Sequence, residues 1–182
     1  ITTFDKKKYF NIPTNIKSDK IKYPNTGHSD QFIAFIESEL QPFIENKYKT
    51  TQSKTIIGQS LGGLLETEIL FKKPTLFNKY IIVSPSLWWD NGSLLTLKPA
   101  ILQEHFKTKT DIYIGVGKEG LTLSEPPHVM EVDANLLAEK LMNSKNKWVV
   151  THFDYLPQED HATVGHQAIL NALRVLYPVS KN

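Results

Sequence analysis

The segment Ile56-Ile57-Gly58-Gln59-Ser60-Leu61-Gly62-Gly63 carries the residues of this chain best suited to covalent chemistry. Two β-branched residues lead into Gly-x-Ser-x-Gly, and a helix-type run, Leu64 to Phe71, follows at once. A serine on such a strand–turn–helix elbow projects its hydroxyl above a sheet edge, where it can attack a carbonyl. The turn demands a strained backbone, so side chains at positions 58 and 62 are expected to collide with the neighbouring strand and helix. The N–H of Leu61 is expected to face the developing oxyanion from the positive end of the helix.

A serine hydroxyl is a weak nucleophile at neutral pH. It needs a base, and the base needs an orienting acid. His161 is the candidate base, in a loop between the last strand and the last helix, and it fits the order Ser–acid–His. The acid is expected in the loop after the strand Asp111–Val116. Glu119 is the first choice and Glu125 the reserve. Asp160 is a third option that reads better as a helix-start carboxylate, and a bare Ser–His dyad is also open. Of Trp88 and Trp89, one is expected to fill the core and the other to wall a substrate pocket. Asp90 and Asn91 read as the turn that follows. His128 is a lesser candidate for substrate contact, and His166 reads as structural.

Composition removes other chemistries. The chain has no cysteine, which excludes disulfides, thiolate metal sites and a cysteine nucleophile. Its six histidines show no ligand pairing, so no metal site is expected. Gly58 to Gly62 lacks the Gly-Lys-Ser/Thr ending of a phosphate cradle, and no cofactor is expected. A net charge of +2 argues against a nucleic-acid partner. No apolar run has membrane-spanning length, and the run Lys6-Lys7-Lys8 reads as a solvated loop. Compartment and oligomeric state stay open, with a periplasmic or secreted location favoured over a cytoplasmic one.

The elements that must position these residues follow from periodicity. Residues 1–28 read as irregular, although Ile1-Thr2-Thr3-Phe4 could close a strand. Phe32, Ile36, Leu40, Phe43 and Ile44 recur at helical spacing across Ser29 to Tyr48, with Pro42 set to kink that helix or start a second. Tyr80 to Ser84 and Asp111 to Gly117 read as buried strands, and Trp148 to Phe153 as a last strand. Helices are expected over Ser93 to Phe106, with a break at Pro99, over Glu131 to Asn143, and over Val164 to Tyr177. From the elbow onward strands and helices alternate, which predicts a mostly parallel α/β sheet with helices on both faces. Functional groups then gather at the carboxyl ends of the strands. Ser60, Ser84-Pro85-Ser86, Glu119 and His161 follow successive strands.

Four stretches together resemble one family. They are Gly58-Gln59-Ser60-Leu61-Gly62-Gly63-Leu64, Ser84-Pro85-Ser86-Leu87-Trp88-Trp89-Asp90, Gly115-Val116-Gly117-Lys118-Glu119 and Glu159-Asp160-His161. They are similar to the "putative esterase" family of α/β hydrolases, which includes enterochelin-type siderophore esterases, S-formylglutathione hydrolases and feruloyl esterases. The Ser-Pro-Ser-x-Trp-Trp run looks closest to the siderophore-esterase branch. The resemblance covers most of residues 24–177. It implies the α/β-hydrolase fold and cofactor-free hydrolysis of a small-molecule carboxylic ester, with Ser60 as nucleophile and His161 as base. The acid varies within the family. Family members usually carry further strands before the position of Ile1, and those strands supply a second oxyanion N–H. Residues 1–182 are therefore expected to be a single α/β-hydrolase domain lacking the N-terminal strands, the C-terminal part of a longer one. The elbow strand would then present an open edge. The leading reading is a serine esterase. A non-catalytic ligand-binding module and an acyltransferase using the same serine are the alternatives.

Overall fold

The computed structural model describes residues 5–144 and 146–179. The expected strand at Ile1–Phe4 lies outside them. Four strands form one sheet: β1 (Thr55–Gln59), β2 (Lys79–Val83), β3 (Thr110–Gly117) and β4 (Val149–Leu156). All three pairings are parallel and the order is β1-β2-β3-β4. Among the described residues the α-helices are α1 (Lys6–Tyr9), α2 (Lys17–Lys22), α3 (Ser29–Phe35), α4 (Gln41–Lys47), α5 (Leu61–Lys72), α6 (Ser93–Thr96), α7 (Met130–Met142) and α8 (Val164–Leu176).

The period of two along the strands sorts the core into two layers. Tyr80, Ile82, Ile112 and Ile114 face one way and pack with Leu64 and Ile69 of α5 and Leu137 and Leu141 of α7. Ile81, Val83 and Tyr113 face the other way and pack on Val164, Ala168 and Ala172 of α8. Helices thus cover both faces, as the alternation predicts. Ile82 and Ile112 are fully buried, and each such side chain contributes about 1.5–3 kcal/mol.

Two expectations need correction. Residues 5–28 are not wholly irregular, since they hold α1 and α2, and Asp5 caps α1 by accepting the N–H groups of Lys7 and Lys8. The Lys6–Lys8 run is therefore helical. The expected break at Pro99 is present, but the helix over Ser93 to Phe106 is shorter than expected, only α6 and a short 3₁₀ turn, Ala100–Leu102. Pro99 explains the break, because proline forces the residue before it out of the helical region and removes an N–H. Of the two outcomes expected at Pro42, the start of a second helix is the one found, with Pro42 in the first turn of α4. A π-helical turn, Ile36–Leu40, sits just before it and leads into α4.

β1 and β4 are the edges of the described sheet, and Ile57 on β1 is 47% exposed. The register aligns Gln59 with Val83 and Val83 with Gly115, and β3 and β4 continue together to Gly117 and Leu156. The strand ends therefore form a step. Ser60 and Ser84 leave at the lower level, while Glu119 and His161 follow the two longer strands. No helix among the described residues is long and apolar enough to cross a membrane.

Candidate active site

Ser60 is the hinge between β1 and α5, with φ 58° and ψ −117°. A non-glycine residue rarely adopts a positive φ, so this conformation is strained and must be imposed by its surroundings. Three backbone bonds impose it. Ser60 N–H donates to the Val83 carbonyl at 3.0 Å, and the Ser60 carbonyl accepts from Leu64 N–H at 3.0 Å and Ser86 N–H at 3.1 Å. A Cβ on Gly58 would lie 2.4 Å from the Gly62 carbonyl oxygen and 2.9 Å from Glu66 Oε2, so glycine is required there. The same expectation fails at Gly62, where an added Cβ meets nothing within 4 Å. The tight position is the next one. A Cβ on Gly63 would come within 3.0 Å of Pro85 Cα. Beneath the elbow the fully buried Glu66 accepts the Ile81 N–H at 2.8 Å. Burial pushes its carboxyl well above the usual range.

The candidate acid and base meet after β3 and β4. His161 Nδ1 lies 2.5 Å from Glu119 Oε2. The Glu119 side chain is 3% exposed and that of His161 48%. Ser84 donates its hydroxyl to Glu119 Oε1, and Gly117 N–H lies 3.4 Å from the same oxygen. Burial alone would raise the Glu119 carboxyl. The bonds from His161 and Ser84 and the charge of His161 outweigh burial and hold it below its ordinary value. His161 is raised, first by its hydrogen bond to Glu119, against burial, with the charges of Glu119 and Asp160 adding. Glu131, in the first turn of α7, accepts the N–H groups of Glu119 at 2.8 Å and Gly120 at 3.0 Å, which fixes the acid's backbone.

The serine and the histidine are linked through Gln59, whose Nε2 donates to the His161 carbonyl at 2.7 Å. The Ser60 hydroxyl itself pairs with Ser86 Oγ at 3.3 Å. Leu61 opens α5, so its N–H has no intrahelical acceptor and stands at the positive end of the helix.

The structure separates the other candidates. Asp160 accepts the N–H groups of Ala162 and Thr163 at 2.8 and 3.0 Å, the role of a helix-start carboxylate. Glu125 lies in the loop beyond β3, beside Trp88, and the carboxylate on His161 is Glu119. His128 is engaged elsewhere, with Nδ1 2.9 Å from Asp133 Oδ2 and Nε2 3.2 Å from Asn91 Oδ1. His166 is exposed near the start of α8. Trp89 is 2% exposed and donates Nε1 to the Ile12 carbonyl at 2.8 Å, so it is the core tryptophan. Trp88 is half-buried and lines a hollow of about 180 Å³ beside Ser60 and Leu61.

Lys7, Asn11, Tyr23 and Thr26 line the same hollow. Sequence reasoning assigned none of them a role. They are brought there by long-range bonds: Trp89 to Ile12, and Asp90 Oδ1 accepting from Thr14 Oγ1 at 3.0 Å and Asn15 N–H at 2.6 Å. The only local signal is the buried-type aromatic and basic content of a segment that looks like a loop. A larger apolar hollow, about 490 Å³, lies at the opposite end of β1, beside Thr55, Ile44 and Phe77. It adjoins none of these residues, and in parallel sheets chemistry collects at the carboxyl ends.

Comparison with known proteins agrees with this architecture. The family described as "Putative esterase" matches residues 5–167. Ferri-bacillibactin esterase BesA of Bacillus subtilis is 30% identical over 178 residues, covering 89% of this chain and 56% of BesA. The BES protein of Bacillus cereus superposes with a TM-score of 0.81 at 32% identity, covering 96% of this chain and 64% of that structure. An IroE-like serine hydrolase of Shewanella oneidensis gives a TM-score of 0.81 at 26% identity, covering 96% and 57%. The chain thus spans little more than half the length of BesA and of the Shewanella hydrolase. With a family match over most of its length and the sheet described above, the chain belongs to the "Putative esterase" family and has the α/β-hydrolase fold.

Proposed function

We propose that the protein hydrolyses carboxylic esters through an acyl-enzyme formed on Ser60. The observation that carries this reading is the His161–Glu119 pair beyond the strand ends, tied through Gln59 to a strained elbow at Ser60. In the proposed reaction Ser60 Oγ attacks the ester carbonyl while His161 Nε2 takes its proton. Glu119 holds Nδ1 and stabilises the imidazolium that forms. The oxyanion is met by the N–H of Leu61 at the head of α5. Collapse of the tetrahedral species expels the alcohol, which receives the proton from His161. Water then attacks the acyl group by the same steps in reverse order, and Ser60 is restored.

The proposed substrate is a small ester with anionic and aromatic parts. Lys7 places its ammonium group 5.9 Å from the Tyr23 ring centre in the hollow beside Ser60, and Lys22 lies 5.4 Å from the same ring in an adjoining hollow whose wall also carries Asp19 and Glu125. Cations beside aromatic walls favour flat, negatively charged ligands. Relatives named for ferri-bacillibactin and enterobactin hydrolysis point to the same chemistry, so the class proposed is siderophore esters. A periplasmic or secreted location is part of the proposal, and cell fractionation checks it. The test of the reaction is a Ser60→Ala variant of the complete protein. It is expected to lose p-nitrophenyl-ester turnover, and unchanged turnover would overturn the assignment.

A further inference from the structure

Ser84-Pro85-Ser86 stands between the two halves of the site, and the proposed reaction gives it no role. Ser84 is fully buried and holds φ 40°, a second strained non-glycine position on the same rim as Ser60. Its N–H donates to the Gly115 carbonyl at 2.8 Å and its hydroxyl to Glu119 Oε1. A carboxylate can turn about its last bond. With Oε1 taken by Ser84 and Oε2 by His161, that turn is blocked. Ser86 is 3% exposed. Its N–H holds the Ser60 carbonyl at 3.1 Å and its hydroxyl lies 3.3 Å from Ser60 Oγ. Pro85 has a fixed φ and packs against Gly63 at the start of α5, where a side chain would strike it.

We infer that Ser84-Pro85-Ser86 is a two-ended positioning bracket. Ser84 locks the orientation of Glu119, Ser86 locks the hydroxyl of Ser60, and Pro85 sets the spacing between them. The inference rests on the reading of Ser60, His161 and Glu119 as the reacting set. If Ser86 donates to Ser60 Oγ, the serine proton is left free to point at His161. Two hydroxyls then hold opposite ends of one proton relay, Ser84 from a fully buried position and Ser86 from the wall of the hollow beside Ser60.

The two ends predict different signatures. In the complete protein, Ser84→Ala is expected to lower kcat by about 10–100-fold, the effect of losing a hydrogen bond to a charged group, with KM nearly unchanged. It also frees Glu119, so the His161 titration followed by NMR moves down toward the ordinary histidine range. Ser86→Ala is expected to lower kcat by about 10-fold while leaving the His161 titration where it is in the wild type. A purely structural role would move neither titration, or both together with thermal stability. Should Ser84→Ala fold poorly, Ser84→Gly suits the positive φ, lacks the hydroxyl and must give the same titration shift. A folded Ser84 variant with a wild-type His161 titration overturns the inference, as does a shifted titration in Ser86→Ala. The NMR readout needs no turnover, so its failure is distinct from failure of the esterase reading, which Ser60→Ala tests.

Discussion

The two arms of the site are built by different means. The acid–base arm, after β3 and β4, is organised by burial and bonding. Glu119 is almost wholly buried, both its oxygens have partners, and Glu131 pins its backbone. The serine arm lies on β1, an edge of the described sheet with a half-exposed Ile57. It is organised by backbone strain, with a positive φ at Ser60 and a tight packing contact at Gly58. In the proposed reaction the first arm is electrostatically preorganised before substrate arrives. The second is tied to His161 through Gln59, and its hydroxyl rests on Ser86. Hydrogen bonds of this kind are often completed only in the substrate complex.

Breaking the acid–base arm should cost most. His161→Ala is expected to lower kcat about 10⁵–10⁶-fold, as loss of the base does in other serine hydrolases. Single-turnover kinetics with a p-nitrophenyl ester measure this. Glu119→Gln should cost about 10⁴-fold, because the amide no longer selects the productive tautomer. It should also displace the pH profile. His161 must be neutral to act as base, and Glu119 raises its pKa above the ordinary 6.5. The acid limb of kcat/KM in the wild type therefore lies above that value. Removing the Glu119 charge lowers the imidazole pKa, so the limb moves to lower pH. A limb that stays in place would detach Glu119 from His161.

Two glycine variants sharpen the contrast at the serine arm. Gly58→Ala drives a Cβ into the Gly62 backbone and should destabilise by about 1–3 kcal/mol. Gly62→Ala has open space and lies in the first turn of α5, so stability should be unchanged or improved by up to about 1 kcal/mol. Urea unfolding compares the two. The smallest effect is expected at the mouth. Lys7→Ala should raise KM for an anionic aromatic ester about two- to five-fold at low salt, with kcat unchanged, and added salt should erase the difference.

What the sequence made legible follows the range of the forces involved. The elbow was readable because strain at Ser60 is resolved by neighbours in the chain, though the glycine logic at 62 belonged to Gly63. Glu119 was reachable because β3 runs straight into it and parallel sheets gather function at strand ends. The break at Pro99 is legible, whereas the shortness of the helices on either side of it, Ser93–Thr96 and Ala100–Leu102, is not, because the apolar spacing there is helical. The pocket wall from Lys7 to Thr26 was invisible. Its placement depends on Asp90 and Trp89 reaching back to Thr14, Asn15 and Ile12, contacts that no local pattern encodes.

Fluorophosphonate labelling of the complete protein, followed by peptide mass mapping, tests the central claim most directly. An activated serine beside a neutral base should form one covalent adduct, on the peptide containing Ser60, and Ser60→Ala should abolish it. A folded protein that takes up no label, or a Ser60→Ala variant that labels as well as the wild type, would contradict the account.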